Sequence, residues 1–295
     1  MTALIEETPE ASIKPVKPVA QHRGRISMPG DIWRRRLLIW LVALYTTILI
    51  VFPIAALFPG AFSEGMGTAV ATLSNSAFLA AFWLTLQIAF ISVLIHALFG
   101  TILAWVLVRY RIPGRALMNA LIDLPFAVSP VVAGYMLLLL FGRNGLLAPV
   151  LDTLQIKVAF ALPGMILATL FITMPFMVRE IIPVLESLNY EQELAAASLG
   201  ASGWQTFWRV TFPAIRSGLV YGIILTFARA LGEFGAVLVV GGGIQGRTET
   251  ATIFIFNAME RREYVSAYSA AILLGLFSLI LVVGAELFRR RMRGK

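Results

Sequence analysis

Residues 37–58, 77–108, 158–178 and 264–285 contain no Asp, Glu, Lys or Arg. Each run exceeds the ~20 residues that cross a hydrocarbon core about 30 Å thick at 1.5 Å of helix rise per residue. The runs are apolar all round and do not alternate. In lipid every backbone N–H and C=O must then be paired within the segment, which leaves the helix. Two further runs, 116–141 and 217–240, are interrupted by Asp123 and by Arg229 with Glu233. The sequence therefore predicts an all-α integral membrane protein with six transmembrane helices. The 77–108 run is longer than one crossing needs, so a tilted or projecting helix is expected there. Charged residues make up 14% of the chain, against roughly a quarter in soluble domains.

The net charge of +8 orients the chain and does not point to nucleic acid. With six spans, both termini share a side with the 109–115 and 179–216 loops. Eighteen of the 24 Lys and Arg residues fall on that side, and five on the other. The positive-inside asymmetry makes the richer side cytoplasmic. Residues 1–36 lack apolar periodicity and read as a flexible cytoplasmic tail, followed by a membrane domain over 37–288 and a basic tail over 289–295. The first apolar run is too long for a cleaved signal core and reads as a retained span. With no cysteine in the chain, disulfide, thiol redox and thiolate-metal chemistry are excluded.

Between the fourth and fifth spans lies a polar hairpin, 191–213. Gly200 suits the left-handed residue that closes a helix. Ser202 with Gln205 three residues on has capping-box spacing, and Pro213 is expected to end the second short helix. Small Ala195 and Ala196 beside bulky Leu199, Trp204 and Phe207 form a knob that a partner backbone can approach closely. The same pattern also suits a hairpin resting on the headgroups through Trp204 and Trp208.

The spacing Ala195-Ala196, three residues, Gly200, nine residues, Val210-Thr211-Phe212-Pro213 resembles the EAA loop of ABC-importer permeases. Leu194 stands at the usual Glu position, and Glu193 lies one residue earlier. Four further stretches resemble sulfate/thiosulfate permease subunits of the CysW type: Ser129-Pro130-Val131-Val132-Ala133-Gly134, Leu139-Leu140-Phe141-Gly142-Arg143-Asn144-Gly145, Pro175-Phe176-Met177-Val178-Arg179-Glu180, and Ala228-Arg229-Ala230-Leu231-Gly232-Glu233-Phe234-Gly235-Ala236-Val237. This resemblance implies a permease of the type I importer architecture in a bacterial inner membrane. It implies that Glu193, Ala195, Ala196, Leu199, Gly200, Trp204, Phe207 and Pro213 couple to an ATPase dimer. A second, homologous permease subunit and an extracytoplasmic sulfate-binding protein are implied as well. ATP and Mg would then sit on the ATPase, and this chain would bind no cofactor and catalyse no reaction. A molybdate or tungstate importer is the nearest alternative, and an ion-coupled secondary transporter is a more distant one.

Arg229 and Glu233, four residues apart, share a helix face. A charge at mid-membrane costs at least ~2.5–3.5 kcal/mol and faces protein or water. Two roles stay open: Arg229 lines an anion path with Glu233 as counter-charge, or the pair locks the fifth span. Gly232 and Gly235 either weaken that helix or permit close helix packing, while Ser129-Pro130 and Met174-Pro175 free backbone groups in mid-membrane, which suits a gate or static packing. Asp123 is expected near the cytoplasmic end of its span. His96 reads as a satisfied core histidine and no residue as a metal ligand. The run Gly241 to Thr248 nearly spells a phosphate-binding loop, but Arg247 replaces the lysine and the loop falls on the side away from ATP.

Overall fold

The computed structural model describes residues 31–188 and 190–293. Most of the expected N-terminal tail lies outside them, but the chain is already helical from Asp31. Two compact units divide at Phe52 and Pro53. In the first, residues 33–52 form α-helical and then π-helical turns with every side chain exposed, as expected of a surface that faces lipid.

Five helices are long and apolar enough to cross a membrane: α1 (Trp33–Ala61), α3 (Ser76–Arg109), α7 (Leu162–Ser187), α9 (Gly203–Leu231) and α12 (Tyr264–Phe288, continuing to Arg293). Arg115–Ala127 (α4) and Pro130–Phe141 (α5) make a sixth if counted as one broken span, bent by 114°. Shorter helices are α2 (Met66–Leu73), α6 (Ala148–Thr153), α8 (Tyr190–Ser198), α10 (Gly235–Gly241) and α11 (Ala251–Glu260). Counted that way the six expected spans are present, with the third sharply kinked. Its kink follows from Pro130, which offers no N–H to the preceding turn and pushes Ser129 into extended backbone.

At the centre of the second unit lies α7, the most buried of the candidate spans. It packs on α3, α4, α5, α9 and α10. Its buried Thr169 and Thr173 donate to the carbonyls four residues back, at 2.9 and 2.7 Å, so neither hydroxyl is stranded in an apolar core. Pro175 and Pro183 sit inside α7 without ending it. Close approach of α9 to α7 depends on Gly218 and Gly222. A Cβ at Gly218 would stand 2.8 Å from Val184 Cγ2, and one at Gly222 would stand 2.9 Å from Met177 Sδ. Small residues four apart on one face let two helix backbones nearly touch.

The fifth span differs from its expected bounds of 217–240. Pro213 does not end a helix, because α9 runs unbroken from Gly203. A π-helical turn at Phe207–Thr211, with the Phe212 N–H donating to Phe207 O, fits the imino acid into a continuous rod. At the other end, α9 stops at Leu231 and the chain breaks before α10. Gly232 lies where α9 ends, and Gly235 lies where α10 packs closely on α5. The long second span is a single helix of 34 residues containing a π-turn at His96–Gly100.

Candidate functional site

The hairpin opens with α8, which ends in a turn where Gly200 has φ +84°. Any side chain there would sit in the left-handed region at a cost of about 1–2 kcal/mol. Ser202 accepts from the Gln205 N–H at 3.3 Å, and Gln205 returns the contact to the Ser202 N–H at 2.9 Å. The capping box expected from the spacing is present. It spends two of the free N–H groups at the start of α9 and fixes the angle between the two arms.

This rigid corner carries an apolar crest. Leu199 is 90% exposed and Trp204 71%, with Leu194 and Trp208 about half exposed. Ala195 is exposed and Ala196 half-buried beside them, Phe207 turns partly inward, and Pro213 lies exposed at the base. No Cβ added at Gly200 would meet an atom within 4 Å, so the surface there is open. An exposed apolar crest of this kind suits a partner surface or the lipid headgroups.

Glu193 faces the other way. Its Oε2 lies 2.9 Å from Arg109 Nε. Its Oε1 accepts from Arg109 Nη2 at 3.2 Å and from the Thr211 hydroxyl at 2.7 Å. Both charged side chains are only 11% exposed. The acid that the sequence grouped with the coupling surface is bonded within its own chain.

A second polar centre lies where α9 breaks. Arg229 Nη1 and Glu233 Oε2 are 2.8 Å apart, and Glu233 is 2% exposed against 31% for Arg229. Glu233 also accepts from the Ala236 N–H at 3.2 Å, while its carbonyl accepts from the Thr252 hydroxyl at 2.7 Å. A cation in the last turn of α9 and an anion before α10 each oppose the partial charge of the helix end they touch. The pair thereby offsets the break as well as its own burial. Thr85, Thr169 and Thr250 line the same small internal space as Glu233.

The two breaks meet. Gly235 lies against Pro130 and Val131, where an added Cβ would come within 3.2 Å of each. Ser129, Pro130, Arg229 and Glu233, scattered through the sequence, thus belong to one region. Met174-Pro175 lies within intact helix. Asp123 pairs with Arg179, which also donates to Asn119 at 3.3 Å and ties α4 to α7. His96 Nε2 lies 3.0 Å from Leu170 O and 3.1 Å from Thr173 Oγ1, a satisfied core position. In the Gly-rich loop the Ile244 carbonyl accepts from the N–H groups of Arg247, Thr248 and Glu249. Thr248 Oγ1 accepts from the Ile244 N–H at 2.9 Å. These donors are turned inward, so the loop is not a phosphate cradle.

Arg109, Thr211, Gly218 and Gly222 hold these contacts without being candidates from the sequence. Glycines four apart in an apolar run are a visible signal. The Arg109–Glu193 pairing is not, because 84 residues separate the partners.

Residues 96–294 match the family described as the binding-protein-dependent transport system inner membrane component. The sulfate transport system permease protein CysW of Synechococcus elongatus is 47% identical over 86% of this chain and 89% of its own length. That of Escherichia coli is 44% identical, over 84% and 85%. The sulfate transport system permease protein CysT of Escherichia coli is 37% identical, over 84% and 90%. A bacterial alginate ABC transporter solved with an alginate-bound periplasmic protein superposes with a TM-score of 0.74 at 18% identity, over 90% of this chain and 96% of the other.

Proposed function

Because the chain belongs to the binding-protein-dependent transport system inner membrane component family, we propose that it is the permease subunit of an ABC importer carrying sulfate or thiosulfate into the cytoplasm. The exposed apolar crest of the hairpin, held by Gly200 and the capping box, is the observation that carries the importer reading. It meets a cytoplasmic ATPase, where ATP and Mg bind. The cargo rests on kinship with the CysW proteins at 44–47% identity.

Each permease chain presents one such hairpin, so two chains are needed to engage two ATPases. Similarity to CysT as well as CysW supports a related but different second permease as the partner. Sulfate is a strongly hydrated dianion whose capture needs many fixed donors. Those belong on an extracytoplasmic binding protein, and the permease offers a weakly binding path. The bias of Lys and Arg supports both termini and the hairpin on the cytoplasmic side, and the family supports a bacterial inner membrane.

Labelled-sulfate uptake tests this reading in cells lacking their own sulfate importers. The cells express the chain with its permease, ATPase and binding-protein partners, and unlabelled molybdate is added in excess. Uptake that molybdate barely reduces is expected. No uptake from an assembled complex would end the sulfate assignment.

A further inference from the structure

The family pattern places an acid on the coupling hairpin, and here that position is Leu194, about half exposed on the outward crest. The neighbouring acid, Glu193, is turned into the protein and gathers three polar contacts from two other elements: the last turn of α3 through Arg109, and the π-turn of α9 through Thr211. Resting on the transport reading above, we propose that Glu193 is a positioning residue. Through Arg109 and Thr211 it latches the hairpin to the end of α3, so that a displacement of the hairpin moves that span too.

Both side chains are shielded. An exposed ion pair is screened and contributes little, whereas a pair 11% exposed on each side is lost only at the cost of a stranded charge. Arg109 sits in the last turn of α3, where free carbonyls favour a cation. An edge-on contact of Trp105 with Phe207, ring centroids 6.1 Å apart, joins the same two elements beside it. With both carboxylate oxygens already engaged, Glu193 has little left to offer an ATPase. Further along, α3 is tied to the region of the helix breaks: the Ala251 N–H donates to the buried Thr85 hydroxyl at 2.8 Å, and Thr85 lines the space beside Glu233. A chain of fixed contacts therefore runs from hairpin to mid-membrane with the latch as its first link.

The test is a complex of this chain with its partner permease, ATPase subunits and binding protein, reconstituted in proteoliposomes. Glu193→Gln, Arg109→Gln, the double variant and Thr211→Val are compared with wild type. Two quantities are read: ATPase subunit retained per permease, and the ratio of hydrolysis with to hydrolysis without sulfate-loaded binding protein. The latch predicts that the single charge variants keep the ATPase while the ratio falls roughly tenfold. The double variant is no worse than either single, because the two side chains act through one another. Thr211→Val keeps both charges, loses roughly twofold to fourfold, and decides the matter if a charge variant fails to assemble. An unchanged ratio in Thr211→Val or in both singles would overturn the latch. So would a double variant whose loss is the product of the singles, or a Glu193→Gln complex that sheds its ATPase because the acid docks there directly. Failure of the transport reading shows differently, as a wild-type complex that holds no ATPase or ignores the loaded binding protein, and the latch falls with it.

Discussion

Replacing Arg229 by Met strands Glu233, and the size of the effect separates the two roles that the sequence leaves open. The carboxylate is 2% exposed and 2.8 Å from its partner. Removing one member of such a pair leaves an uncompensated buried charge, which costs about 3–5 kcal/mol. At roughly 2–4 °C per kcal/mol, the unfolding midpoint of the detergent-solubilised complex should fall by about 6–20 °C. The double variant Arg229→Met, Glu233→Met removes both charges and loses only the contact to the Ala236 N–H. It should stay within about 1–2 kcal/mol of wild type. Unfolding followed by size-exclusion on a temperature series gives the ranking. An Arg229→Met complex as stable as wild type would refute the buried-pair reasoning. So would a double variant as damaged as the single. Uptake by a stable double variant then settles the role: sulfate transport near wild type assigns the pair to structure, and its loss assigns Arg229 to the anion path.

Gly200→Ala, forced into a left-handed turn at φ +84°, should lose about 1–2 kcal/mol. ATPase co-purification should weaken accordingly, while Gly203→Ala, with open space around its Cβ, should match wild type. Trp204→Ala and Leu199→Ser remove crest side chains and should each lower ATPase retention by tenfold or more, with the amount of chain in the membrane unchanged. Gly218→Ala places a methyl 2.8 Å from Val184 Cγ2 and 3.0 Å from Glu180 O. Overpacking of about 1–3 kcal/mol should show as a lower unfolding midpoint of the complex. Arg179→Lys should lower the unfolding midpoint of the complex slightly, because the pair is 36% and 47% exposed yet lysine cannot reproduce the two-pronged contact with Asp123.

Spans with no charge were legible because hydropathy is a property of neighbours in sequence. The capping box was legible for the same reason, since Ser202 and Gln205 are three residues apart. What the sequence hid was continuity and direction. Pro213 read as a terminator, yet a π-turn at Phe207–Thr211 carries the helix through it, and a local adjustment of winding leaves no residue signature. Glu193 read as part of the outward surface because its neighbours are. Its partner Arg109 becomes visible only after α3 has been extended to 34 residues, which brings that arginine level with the hairpin. The meeting of Pro130 with Gly235 likewise depends on two breaks about a hundred residues apart, each of which reads alone as a weakness in one helix.

The unbroken run of α9 from Gly203 to Leu231 gives the molecule a lever arm. Twenty-nine residues at 1.5 Å each make a rod about 43 Å long, with the exposed crest at one end and the Arg229–Glu233 break at the other. A tilt of about 5° about a point near residue 220 shifts the Leu231 end, roughly 16 Å away, by about 1.4 Å, and the Gly203 end by about 2 Å the other way. The fulcrum is the glycine contact with α7 at 218 and 222, where the two backbones are too close to slide freely. A small rotation imposed at the crest is therefore expected to shift the break by about an ångström, without any helix having to unwind.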